Sequence, residues 1–197
     1  MTTPSDLSHP QISTDHHPAK AFFLVGFMGA GKTSVGQALA ASLGWRFLDL
    51  DARIVDRTGR TVADIFASDG EPRFRQLETE ELRQLLQELG TSPTIVSLGG
   101  GAWMQPANVA LIQQASLPVL HLDAPAEELW SRCLPERGLR PLLQNENEFH
   151  RLYQARSAAY REGTLHVDTH GLSVEEVASR IGLLLGLAGT MPNDIGL

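Results

Sequence analysis

The sequence predicts an α/β protein in three layers, a parallel sheet with helices on both faces. Three observations point there. Short apolar runs of strand length alternate with longer amphipathic segments, which requires crossover connections and therefore parallel strands. The run Gly26-Phe-Met-Gly-Ala-Gly-Lys32-Thr33 fills every fixed position of the phosphate-loop pattern GxxxxGK[ST], after an apolar run and before a helical one. The residues able to do chemistry collect at the carboxyl ends of the apolar runs, where ligands of parallel sheets bind.

The elements follow in order. Residues 21–25 are continuously apolar and read as strand one. Residues 34–43 form helix one, with Val35, Leu39 and Leu43 on one face. Strand two is 45–50, followed by helical residues 52–58 that stop at Gly59. A short helix over 61–67 turns Val62, Ile65 and Phe66 inward, and a longer one over 71–89 closes at Gly90. Strand three, 94–98, runs into Gly99-Gly100-Gly101. Helix 105–115, strand four at 118–122 and helix 126–134 come next. Residues 135–145 are irregular, 146–160 are helical, and 164–167 are strand five. The final helix, 173–187, carries Val174, Val177, Ile181 and Leu184 in register.

A chain of 197 residues fits one domain, here 20–187, and can bury a sizeable core. Residues 1–19 read as a disordered extension and 188–197 as a loose tail. The net charge of −7 argues against a nucleic-acid surface, which needs a clustered basic footprint. No apolar run reaches the length of a membrane span, and residues 1–18 lack the apolar core of a signal peptide. A single cysteine, Cys133, excludes an internal disulfide and reads as a small core filler. A cytoplasmic monomer without nucleic-acid or membrane partners is the expectation.

Glycines let the phosphate loop wrap an oxyanion, and N–H groups at the helix start point inward at it. Lys32 can reach the β- and γ-phosphates, and the Thr33 hydroxyl can ligate Mg²⁺. Asp49-Leu50-Asp51 closes strand two. Strand alternation would turn both carboxylates one way, one to the Mg²⁺ water shell and the other to an acceptor hydroxyl, to orient it or take its proton. The same residues could instead be solvated, or could cap the following helix. Arg73 and Arg75 stand in the first turn of helix 71–89, where cations are tolerated best beside an anion, or are surface charges paired with Glu71 or Glu78. The triple glycine implies a bend, a turn or the close approach of a ligand. The stretch 135–145, with Arg137 and Arg140, is a mobile lid able to bring an arginine to the transferring phosphate, or a solvated linker.

Taken together, GFMGAGKTSVG, LDLD, ADIFASDGEPRFRQLE, SLGGGA, LRPLL and ARSAAYRE followed by VDT resemble the shikimate kinase family, from about Phe22 to Leu185. The resemblance implies a five-stranded parallel sheet of the phosphate-loop kinase type. It implies transfer of phosphate from ATP, with Mg²⁺, to the 3-hydroxyl of shikimate, in the route to chorismate and the aromatic amino acids. It also implies roles for individual residues. Gly29, Ala30, Gly31, Lys32, Thr33 and Ser34 wrap the ATP phosphates, Thr33 ligates the metal directly, and Asp49 holds it through water. Asp51 binds shikimate hydroxyls near the attacking oxygen. Arg75 and Arg156 bind its carboxylate, and Gly100, flanked by Gly99 and Gly101, contacts it through the backbone. Glu78 is a neighbouring carboxylate that holds an arginine in place, and Arg140 reaches the phosphates from the lid. Arg132 and Arg137 are both candidates for an arginine against adenine.

Other readings stay within view. A kinase for a sugar acid or a nucleoside monophosphate shares the loop, and a non-catalytic nucleotide-binding module would share the fold. A GTPase switch would need an Asn-Lys-x-Asp loop, and the only lysines are Lys20 and Lys32.

Overall fold

The computed structural model describes residues 21–90, 92–134, 145–162 and 164–187. Its five strands are β1 (Ala21–Val25), β2 (Arg46–Asp49), β3 (Thr94–Ser97), β4 (Val119–Asp123) and β5 (Leu165–Asp168). They form one sheet in the order β2-β3-β1-β4-β5, and every pairing is parallel. The helices are α1 (Lys32–Leu43), α2 (Leu50–Thr58), α3 (Val62–Glu88), α4 (Pro106–Ala115), α5 (Ala126–Cys133), α6 (Glu146–Arg161) and α7 (Val174–Leu184), with a 3₁₀ turn over Ala102–Met104.

Burial explains the strand order. All five residues of β1 are buried, so both of its faces are covered by helices and it can only be central. The outermost strands, β2 and β5, keep exposed residues. Helix α1 packs on α7 and against β2 and β3, while α2, α3 and α4 follow one another in contact. At Gly36 of α1 an added Cβ would run into the Phe47 ring, so a glycine sets how closely this helix sits on the sheet. From β3 the chain passes over β1 to reach β4. That reversal opens a crevice at the carboxyl end of β1, where the phosphate loop begins.

Most element ends shift by one to three residues from the sequence reading, and three of the differences have a clear local reason. Helix α1 starts two residues earlier, at Lys32, because Gly31 takes the left-handed conformation that turns the loop into the helix (φ 85°). Strand β2 ends at Asp49 because that side chain caps α2, so Leu50 and Asp51 are helical rather than extended. The two helices read over 61–67 and 71–89 run on as α3, bent at Gly70, whose φ of 79° and ψ of 168° are not helical. Pro72 sits just past the bend, where a missing N–H costs little. Thr61 starts α3 with a reciprocal capping box to Asp64. The stretches 1–19 and 188–197, read as an extension and a tail, and residues 135–144 of the stretch read as a lid or linker lie outside the described residues, and with them Arg137 and Arg140.

Candidate active site

The crevice is a cleft of about 830 Å³, and both ends are built from the motifs singled out above. At one end the phosphate loop bends tightly beneath β4 and α5. Gly26 (φ 149°) lies so close to the Leu122 carbonyl that no Cβ fits there. A Cβ on Gly29 (φ 82°) would stand 2.5 Å from the Leu129 carbonyl oxygen. The first turn of α1 has no side-chain cap, which leaves its N–H groups to an anion in the loop. The Lys32 ammonium folds across the loop and donates to the carbonyls of Gly26 (2.9 Å) and Phe27 (3.1 Å).

Asp49 joins this end to the next. Its Oδ1 accepts from the backbone N–H groups of Asp51 (3.0 Å) and Ala52 (3.2 Å), while Oδ2 accepts from the Thr33 hydroxyl (3.2 Å). Capping and a place in the phosphate site are therefore not alternatives, since the two oxygens divide the work. Asp51 reaches the same cleft from the first turn of α2, not by strand alternation. Helical turning brings it over Gly99, where a Cβ would stand 2.5 Å from Asp51 Oδ1.

The far end holds the arginines. Arg75 Nη1 donates to Glu78 Oε2 at 2.6 Å and Nη2 to Glu71 Oε1 at 2.7 Å. Its guanidinium also stands 5.5 Å from the Phe74 ring and 6.0 Å from Phe66. The plane of the fork lies over Gly101, leaving no room for a Cβ. Arg156, on α6, donates to the Gly100 carbonyl at 3.3 Å, and the Tyr160 hydroxyl, one turn on, donates to the same oxygen. Burial pushes that hydroxyl up to about 12, so it stays a donor. Glycines 99 and 101 thus make room for side chains of the protein itself, and Gly100 presents its carbonyl to α6.

Glu78 is fully buried. Burial pushes its carboxyl up to about 7; the Arg75 guanidinium pulls the other way, Asp51 adds to the rise, and Arg156 lowers it. Gln105 donates to Glu78 Oε2 at 3.0 Å. Both pairings weighed for Arg75 are present, yet the residue is only 17% exposed and lines the cleft. Arg73 is the surface charge, reaching Glu80 at 3.4 Å.

Lys32, Thr33, Ser34, Asp49, Asp51, Arg75, Glu78, Arg156, Gly29–Gly31 and Gly99–Gly101 all line this one cleft, and so does Arg132. Arg132 is tied to the Thr169 carbonyl (3.1 Å) and to Glu128. Sequence reasoning missed Gln105, Tyr160 and Trp103, whose indole donates to the Ala159 carbonyl at 3.0 Å and pins α6 to the turn after Gly101. Only Tyr160 left a trace, as the residue one turn after Arg156.

Residues 28–185 match the family model described as shikimate kinase. The chain belongs to the shikimate kinase family. It is 46% identical over 161 residues to a shikimate kinase of Geobacter sulfurreducens, covering 80% of this chain and 86% of that one. It is 42% identical over 168 residues to one of Thermus thermophilus, covering 83% and 89%. The solved shikimate kinase of Acinetobacter baumannii in complex with shikimate superposes with a TM-score of 0.77 at 34% identity, over 89% of this chain and 95% of the other. The protein is an ATP-using phosphotransferase. Among the described residues no helix is long and apolar enough to cross a membrane.

The raised Glu78 carboxyl makes a pH prediction. The folded protein holds this proton more tightly than the unfolded chain, so ionising Glu78 costs stability. Its contribution is full below about 4.5 and is lost as pH rises through about 7. Urea midpoints of the wild type and of Glu78→Gln should therefore diverge with rising pH, the variant gaining on the wild type across that window. A pH-independent difference would count against it.

Proposed function

We propose that this enzyme transfers the γ-phosphoryl group of ATP to the 3-hydroxyl of shikimate, releasing shikimate 3-phosphate and ADP. The observation that carries the reading is the two-ended cleft. A phosphate loop faces a second half that has a carboxylate, Asp51, on one side and two arginines, Arg75 and Arg156, on the other. A cyclic acid bearing several hydroxyls needs that arrangement, with cations for its carboxylate and an acceptor group at the hydroxyl that attacks.

Gly29, Ala30, Gly31 and Ser34 surround the phosphates with backbone N–H groups, and Lys32 exchanges its carbonyl partners for the β- and γ-oxygens. Thr33 and Asp49 present hard oxygen donors side by side, which fits Mg²⁺ held by few protein ligands. When bound, the metal neutralises phosphate charge. Asp51 orients the attacking hydroxyl and accepts its proton as the oxygen–phosphorus bond forms and the bond to ADP breaks. The forks of Arg75 and Arg156 take the substrate carboxylate, Glu78 holds Arg75 in place, and Gly99–Gly101 form the floor beneath the substrate. Arg140, which lies outside the described residues, completes this reading by stabilising charge that develops on the transferring phosphate.

A coupled ADP-release assay over shikimate, gluconate and nucleoside monophosphates tests the substrate. Shikimate should be turned over far faster than the rest, and equal rates would refute the assignment. Asp51→Asn should lower kcat by about 10²–10⁴-fold while the KM for ATP stays near wild type. Gly101→Ala should displace the Arg75 fork without unfolding the chain. Losing a charge-assisted pair of about 1.5–3 kcal/mol should raise the KM for shikimate roughly 10- to 100-fold and leave that for ATP unchanged.

A further inference from the structure

On the opposite side of the sheet from Asp49, two neighbouring strands carry the same tripeptide pattern. β4 holds His121-Leu-Asp123 and β5 holds His166-Val-Asp168, paired so that His121 stands beside His166 and Asp123 beside Asp168. Alternation turns the histidines and aspartates to one face and Leu122 and Val167 to the other. We propose that His121, Asp123 and His166 form a binding site for a divalent transition ion of the zinc type, separate from the nucleotide-linked magnesium.

The three side chains each offer a ligand atom, and these atoms lie within 4.8 Å of one another. Around a tetrahedral zinc, ligands stand about 3.4 Å apart. The edge between His166 Nε2 and Asp123 Oδ2 already measures 3.4 Å. His166 is half exposed and can supply the remaining contraction by turning its ring. His121 is only 2% exposed, and its Nδ1 has no hydrogen-bond partner among the described residues. An unpartnered nitrogen on a buried imidazole is costly unless something binds it, and this ring belongs to a cluster with a carboxylate and a second imidazole.

The carboxylate is oriented for the same purpose. Asp123 Oδ1 accepts from the Ala124 N–H (3.0 Å) and the Tyr153 hydroxyl (3.3 Å), which leaves Oδ2 facing His166. Outer hydrogen bonds of this kind fix ligand geometry in metal sites. Among the described residues, the Arg161 guanidinium faces Oδ2 at 3.9 Å, and it is well exposed and can swing away. The donor set of two imidazoles and one carboxylate suits zinc or cobalt rather than magnesium. Three protein ligands at a partly open surface leave a fourth position for water, so the ion is exchangeable.

The test is titration of the full chain with Co²⁺ in excess Mg²⁺ and without nucleotide, followed by the visible absorption of tetrahedral cobalt and by competition with Zn²⁺. The wild type should develop that absorption at one equivalent and lose it to Zn²⁺. His166→Ala, on the exposed edge strand, should weaken binding by about 100-fold, and Tyr153→Phe by about tenfold. His150→Ala and His170→Ala should titrate as the wild type. A wild type that shows no such absorption would overturn the proposal, as would a His166→Ala variant that binds equally well or a signal lost in His150→Ala or His170→Ala.

Discussion

Two side chains of opposite charge lie against a turn of backbone that carries no side chains of its own. Asp51 rests over Gly99 and the Arg75 fork over Gly101, so the acidic and basic sides of this end of the cleft are held apart by one residue of chain. Everything around this turn serves the contact. Strand β3 delivers the turn to the carboxyl edge of the sheet, α2 brings Asp51 from one side, and α3 brings Arg75 from the other. From above, α6 closes the arrangement by bonding Arg156 and Tyr160 to the carbonyl of Gly100. A methyl group at either outer glycine would move a charge, and charges that must meet a substrate in a fixed geometry tolerate little displacement.

The same economy of groups joins the two ends of the cleft. One carboxylate, Asp49, caps α2 with one oxygen and holds Thr33 with the other. The helix that carries Asp51 is therefore anchored to the glycine loop before α1, and the two ends of the cleft are built from a common strand end. Glu78 has the opposite character. It is buried under Arg75 and raised in pKa, and its place in the fold rests on that fork and on Gln105. A buried pair of this kind adds little to stability and much to the position of the arginine, which needs to project at one angle.

Much of this was legible in the residues. The alternation of apolar and amphipathic runs sets the parallel sheet, and the phosphate-loop pattern sets where a nucleotide goes, because both depend on local spacing. The order of strands β2-β3-β1-β4-β5 is partly written as well, in the unbroken apolar run of β1 against the mixed residues of β2 and β5. Asp51 does line the cleft, but from a helical turn rather than by strand alternation. The capping strength of Asp49 outweighed the continuation of the strand, a competition between hydrogen bonds that a residue pattern does not rank.

The sequence alone determined the chemistry on offer: which groups can hold phosphate, which can take a proton, and which can grip a carboxylate. It could do so because those capacities belong to single residues and short spacings. Tertiary structure alone decided which of these groups meet. That Gly99 and Gly101 make room for Asp51 and Arg75, that Gln105 and Tyr160 stand behind the site, and that His121 comes beside His166 are all contacts between segments far apart in the chain. Such contacts follow from how helices and strands pack, and the residues at either end of them carry no local sign of their partner.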